Sequence, residues 1–309
     1  LNEGIIDVQQ ILLTKGEYKA SAYGIVPLAA LTKTDNVDVK EQMNLKVSLD
    51  QADLSILPFL TKEIEGGRGN TNGNLVITGS LLQPLINGNI TVNDGTLKLK
   101  HLGKPIQKMA VDIQFLNDRI DVQTFDGVMG DGSYQLRGRA FIGANGLKDY
   151  SLTLNLNDLD IVNKYYTGPL NGLLSLEDDK GVPKVVGNVD LANCTVDIPM
   201  LPDTEDGFPN VKLDVTVNAG KKVRLYNSML YDILVEGHAN FSGSTQHPRA
   251  SGEFSAIRGN VNYLKTSFKI REGTVLFNQA GSFIPSIRLS SDTQLQRTKI
   301  YLDIDGPVS

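Results

Sequence analysis

The chain has 309 residues, a net charge of −5 and a pI near 5.3, so it carries no basic footprint for nucleic acid and, as a whole, would not be drawn to anionic headgroups. Hydrophobic residues make up 40%, slightly below ordinary globular usage, while glycine, at 30 residues, is above it; that balance suits short strands and tight turns. The single cysteine, Cys194, excludes a disulfide framework and a thiolate metal site and reads as a buried spectator thiol.

In chain order, the first apolar run, Ile25 to Leu31, contains Pro27 and is far shorter than the ~18 residues of a membrane span. Leu45, Val47 and Leu49 then alternate with Lys46 and Ser48, the pattern of a half-buried strand. Ala52 to Leu60, with Leu54, Leu57 and Phe59, predicts a short helix, and Gly66 to Asn74, rich in Gly and Asn, predicts a loop. Strand spacing returns with Leu75 and Ile77, with Ile90, Val92, Leu97 and Leu99, with Val111, Ile113 and Phe115, and with Leu152, Leu154 and Leu156 around Thr153. A second short helix is predicted over Asn157 to Tyr166 from Leu159, Ile161, Val162 and Tyr165. Val189 and Leu191 precede an acidic, Pro-containing loop from Pro199 to Asn210. Leu213, Val215 and Val217 alternate with Lys212, Asp214 and Thr216, and the pattern continues through Phe241, Phe254, Phe268, Ile270, Val275, Phe277, Ile287, Leu289, Ile300, Leu302 and Ile304.

Beneath this alternation lies a repeat. Gly73, Gly79, Pro84, Gly88 and Gly95 recur 164 residues later as Gly237, Gly243, Pro248, Gly252 and Gly259. A third copy, offset by 99, holds Gly172, Leu174, Leu176, Pro183, Gly187, Val189 and Leu191, and has Asp178 and Cys194 where the others have glycine. The fold expected is all-β: a single elongated antiparallel repeat sheet with one apolar face and one or two short helices, in repeat-like units of about 45–142, 152–235 and 236–305. Because a one-residue slip inverts a strand, the apolar set belongs on one face, with Lys46, Thr153, Lys212 and Asp214 on the other.

Catalytic chemistry finds no constellation. His101, His238 and His247 are isolated, and the glycines Gly66, Gly67 and Gly69 lack the Lys-Ser/Thr of a phosphate loop. Asp126, Asp131 and Gly132 read as hairpin-turn residues, and Asp178, Asp179, Lys221 and Lys222 as turn and surface residues. The expectation is a protein that is not an enzyme and needs no metal or cofactor. What needs explaining is the apolar face: about twenty strands at ~4.8 Å each would make a sheet on the order of 100 Å long. Left bare, that face would exceed the ~300–600 Å² apolar patch of an ordinary soluble monomer. Closure on itself, a partner, or apolar ligands held in a groove would each cover it.

Gly243-x4-Pro248-x3-Gly252, then Gly259, then Phe268-Lys-Ile270-x-x-Gly273-x-Val275-x-Phe277 and Pro285, resembles the C-terminal region of the TamB family, the inner-membrane subunit of the translocation and assembly module within the AsmA-like bridge-like proteins. Ile77-Thr-Gly79-x4-Pro84-x-Ile86-x-Gly88 with Gly95 is similar to the preceding repeat of that region. The resemblance implies a sheet curled like a taco around a hydrophobic groove, in the periplasm of a diderm bacterium, conducting phospholipid between inner and outer membranes. It implies an outer-membrane BamA-like barrel as partner, and a longer protein anchored in the inner membrane by an N-terminal helix. The chain begins with Leu1 rather than Met, which agrees with a piece of a longer protein. The lipid-facing residues it implies are the apolar set above: Leu75, Ile77, Ile90, Val92, Leu97, Leu99, Val111, Ile113, Phe115, Leu152, Leu154, Leu156, Val189, Leu191, Leu213, Val215, Val217, Phe241, Phe254, Phe268, Ile270, Val275, Phe277 and Leu302. The family's association with outer-membrane protein assembly supplies an alternative, a periplasmic scaffold.

Overall fold

The computed structural model describes residues 4–15, 18–28, 42–80, 83–143, 146–197, 210–278 and 283–307. Strands dominate: β1 (Ile5–Lys15), β2 (Tyr18–Pro27), β3 (Met43–Asp53), β4 (Ile64–Gly79), β5 (Pro84–Leu99), β6 (Ile106–Asn117), β7 (Arg119–Met129), β8 (Gly132–Gly143) and β9 (Gly146–Val162). They continue as β10 (Tyr166–Asp179), β11 (Val182–Leu191), β12 (Cys194–Asp197), β13 (Lys212–Asn227), β14 (Tyr231–Ser244), β15 (His247–Tyr263), β16 (Thr266–Phe277), β17 (Ser286–Leu295) and β18 (Thr298–Pro307). From β1 to β7, and again from β13 to β18, each strand pairs antiparallel with the next. The all-β class follows from this pairing. One step departs from it: β11 and β12 both run parallel to β13, with Val185 beside Leu213 and Cys194 beside Val223. Nothing in the alternation signals that step. The acidic loop predicted there, apart from Asn210, lies outside the described residues, as do the last residues of the Ile25 to Leu31 run.

The chain divides into two compact units, one of Leu1–Met129, Ser133–Leu154 and Glu177–Gly181, the other of Gly130–Gly132, Asn155–Leu176 and Val182–Ser309. Directly opposed residues of an antiparallel pair project from the same face. In the first unit Val47 opposes Leu75, Ile77 opposes Ile86, Ile90 opposes Ile113 and Val92 opposes Val111, which gathers the aliphatic side chains on one inner face. In the second, Val217 opposes Ala239, Val215 opposes Phe241 and Phe254 opposes Val275, with the same result.

Strict alternation fails at a set of bulges. Gln51, Asp94 and Lys108 in the first unit, and Asp158, Asn193 and Lys222 in the second, are exposed polar residues with φ between 46° and 58°. Register shifts fall at Leu49/Ala52, Val92/Gly95, Gln107/Ala110 and Ala219/Val223. The extra backbone takes up the pleat, so the apolar residues on either side all face inward and the strand bends there. Val92, Gly95 and Leu97 are buried together for this reason, although their spacing breaks the period of two.

The bulges also correct two expectations. Asn157 to Tyr166 is not a helix; it completes β9 and opens β10. Leu156 and Leu159 are both buried because Asp158 bulges between them, and the three-residue spacing imitated a helical turn. Gly66 to Asn74 is not a loop but the body of β4. Its glycines answer close approach: a Cβ at Gly67 would come within 2.8 Å of the Leu54 carbonyl oxygen, and one at Gly69 within 2.8 Å of the Gly95 Cα. Lys221 and Lys222 are exposed but belong to β13, not to a turn. Of the residues read as a hairpin turn, Asp131 turns the chain, whereas Asp126 pairs with Arg137 on the outer face.

The helix expected over Ala52 to Leu60 forms as a 3-10 turn at Leu54–Ile56 and one α-turn at Leu57–Leu60. The Asp53 carboxylate caps it by accepting from the Ser55 N–H at 2.6 Å. The insert folds onto the inner face, where Leu54 is buried with Val92, Met109 and Val111.

Candidate ligand-binding face

The residues expected to face lipid are each buried or half-buried, whereas three others of the apolar pattern, Leu176, Ile300 and Ile304, are exposed. In the first unit Leu75, Ile77, Ile90, Leu99, Ile113 and Phe115 keep part of their surface open, whereas Val92, Leu97 and Val111 are covered. Leu152 and Leu154 are half-buried beside exposed Thr153, and a Cβ at Gly138 would lie 2.8 Å from the Leu152 Cα. In the second unit Leu156, Phe268 and Ile270 are buried, and Val189, Leu191, Leu213, Val215, Val217, Phe254, Val275 and Leu302 are half-buried. Phe241 and Phe277 meet edge to face at 6.0 Å, and Phe283 packs on both at 6.1 and 6.2 Å. Lys46, Thr153 and Asp214 are exposed as expected, while Lys212 is half-buried.

Alternation missed the residues that lie just past a bulge. Met109 follows Lys108, Leu159 follows Asp158 and Val223 follows Lys222; all three are buried on the inner face. Their signal is two or three polar residues or glycines, in place of one, between successive apolar residues: Ile106 and Met109, Leu156 and Leu159, Ala219 and Val223. Val223 joins Cys194, Ala219 and Val235 in the second unit's core, with Tyr166, Leu191, Leu225, Ile233 and Phe254 against it.

Polar chemistry on this face is sparse. Burial raises the Cys194 thiol, which keeps it protonated and unreactive near neutral pH. Burial also raises Tyr166, whose hydroxyl donates to the Pro169 carbonyl at 2.6 Å. Ser291, fully buried, donates to the Leu302 carbonyl at 3.0 Å. Tyr134 differs: its hydroxyl is buried and finds no partner among the described residues. Burial, with a smaller contribution from Asp126, pushes its pKa up to about 12. A phenol held protonated by the fold contributes stability that is present below the unfolded value near 10 and is lost as pH rises from 10 through about 12. Tyr134→Phe should therefore raise stability by about 1 kcal/mol at pH 7, by removing an unpaired hydroxyl, and should lessen the alkaline loss. Thermal melts at pH 7 and pH 11 measure both, and a destabilised variant would mean that the hydroxyl has a partner.

Much of the outer face is polar and paired, though Val76, Leu85 and Leu116 are exposed. Ser48 donates to Asn74, Asn171 to Asp158, Asn218 to Asp190 and Asn240 to Asp214. Arg139 pairs with Asp121, Arg224 with Asp232 and Arg271 with Asp292, and those last two carboxyls are held below the usual range by their arginine partners. The histidines stay apart: His101 lies 3.5 Å from exposed Glu63, His238 is exposed beside fully buried Ala239, and His247 is exposed at a hairpin. Among the described residues no group of His, Cys, Asp or Glu could hold a metal ion, and no helix is long and apolar enough to cross a membrane.

A glycine-punctuated sheet with one apolar face fits many proteins, but sequence comparison is decisive. The family model of the TamB C-terminal domain matches residues 14–127 and 195–309. The chain belongs to the TamB C-terminal domain family. No curated protein and no solved structure matches it. As a TamB domain it is a cell-envelope protein, in a family whose role lies in outer-membrane biogenesis. The residues 128–194 that the model leaves unmatched include β8 to β11, where the expected second helix proved to be strand.

Proposed function

We propose that this TamB domain is a non-catalytic lipid-transfer segment whose inner face carries phospholipid acyl chains through the periplasm between the two membranes. The observation that supports this reading is the half-open state of the inner face: aliphatic side chains from successive strands share one side yet stay partly accessible. Each methylene that leaves water for such a surface gains about 0.8 kcal/mol, so a sixteen-carbon chain gains on the order of 13 kcal/mol. The sparse polar groups give a headgroup little to bind on this face, so it stays at the open rim. Recognition is then by length and apolarity rather than by a pocket. The longer protein would be anchored in the inner membrane and would meet a BamA-like barrel in the outer membrane.

Photo-crosslinkers test the facing. At Val215 or Leu154 they should capture phospholipid, and at Asp214 or Thr153 they should not. Mass spectrometry of lipid co-purifying with the native chain should recover phospholipid. Equal labelling of both faces, or of neither, would overturn the reading.

A second reading, a scaffold for nascent outer-membrane proteins, is favoured by the terminal strand. Among the described residues β18 pairs only with β17, and Ile300 and Ile304 are exposed on it. A free strand edge offers main-chain hydrogen bonds to an incoming strand.

A further inference from the structure

We infer that the outer face of the second unit carries an anion site for phosphate-type groups, in the recess bounded by Arg224, Arg258 and Lys269. Two cross-strand rows build it. Leu234 stands between Arg224 and Arg258, and Asn260 stands between Asp232 and Lys269. The recess they surround has a volume of about 450 Å³ and is open to solvent.

Charge sets this recess apart from the paired charges of β16 to β18. Elsewhere in the unit Arg271 and Lys299 share Asp292, and Arg288 faces Asp305. Here one carboxylate serves three cations. Asp232 is taken up by Arg224, whose Nε and Nη2 donate to its two oxygens at 2.7 Å each. Among the described residues neither Arg258 nor Lys269 forms an ion pair. Lys269 stands opposite Asp292, whose carboxylate is already taken by Arg271 and Lys299, so the lining of the recess carries two more cations than anions on a chain whose net charge is −5.

The donors are also fixed in place. Arg224 is clamped by Asp232 and stacks on the Tyr226 ring at 4.4 Å from its centroid, so its unused Nη1 donors are held without further ordering cost. Arg258 and Lys269 project from paired strands rather than from a loop. A guanidinium, an ammonium and the Asn260 amide side by side match a tetrahedral oxyanion that accepts several hydrogen bonds and carries up to two charges. The acyl-carrying face lies across the backbone, since successive side chains of a strand project oppositely. The anion bound here is thus not the headgroup of a lipid lying on the inner face of the same strands.

Isothermal titration of the 309-residue chain with inorganic phosphate and with glycerol phosphate, at constant ionic strength against chloride, tests the site. Saturable binding is expected, weakened about tenfold or more in Arg258→Gln/Lys269→Gln. The same variant should keep the parent melting temperature and the crosslinking of lipid at Val215. Co-sedimentation with phosphatidylcholine vesicles containing phosphatidylglycerol distinguishes the source. Vesicle binding that the variant loses assigns the site to a membrane headgroup, and binding of the soluble phosphates alone assigns it to a free anion. Absence of saturable phosphate binding, or binding that the variant retains in full, would overturn the inference.

Discussion

Alanine at Gly88 should destabilise the first unit by about 2–6 kcal/mol, the sum of backbone strain of ~1–3 kcal/mol and a steric insertion of similar size. Gly88 has φ 137°, and a Cβ there would collide with the Asn74 carbonyl oxygen and lie 3.1 Å from the Leu75 Cα. Its repeat partner Gly252, with φ 132°, would collide in the same way with His238, so Gly252→Ala should cost the second unit a comparable amount. An aromatic ring stands opposite each glycine, Phe115 across from Gly88 and Phe277 across from Gly252. Gly181 is the control: its φ is 82°, but nothing lies within 4 Å of a Cβ there, so alanine should cost only about 1 kcal/mol. Urea denaturation of the three variants separates the effects. Equal losses at Gly88 and Gly181 would show that close approach does not set the glycine skeleton.

Leu154→Asp should abolish lipid transfer while leaving the fold nearly intact. Leu154 is half-buried on the inner face, so a carboxylate there keeps water and its folding cost stays modest. An acyl chain passing that point must leave an apolar surface for a charged one, a barrier of several kcal/mol. Were the face sealed under a second layer, the same substitution would bury an unpaired charge and unfold the region. In the full-length protein the variant should accumulate normally, melt near the parent temperature and fail to support phospholipid movement. If strand addition at β18 is the working activity instead, Leu154→Asp should be silent, and blocking the edge at Ile300 to Ile304 should remove function. Normal lipid movement by Leu154→Asp would end the conduit reading.

The all-β class and the composition of the inner face were legible in the chain because both rest on local geometry. Side chains of a strand alternate whatever the strand pairs with, so Leu75 and Ile77, or Val215 and Val217, could be assigned together from spacing alone. The recurring Gly and Pro marked matching hairpins, with Gly79 opposite Pro84 and Gly243 opposite Pro248. What escaped was non-local. A bulge exists only relative to a partner strand, so Asp158 looked like part of a helix and Met109 was passed over. The glycines of β4 looked like a loop because the Leu54 backbone that presses on Gly67 is brought there by the fold. The parallel step at β13 and the convergence of Arg224, Arg258 and Lys269 likewise depend on which strands become neighbours. Sequence determined which side of each strand is apolar, because that is a property of the pleat; only the tertiary structure decided where strands bend, where backbones touch and which charges meet, because those are properties of pairs.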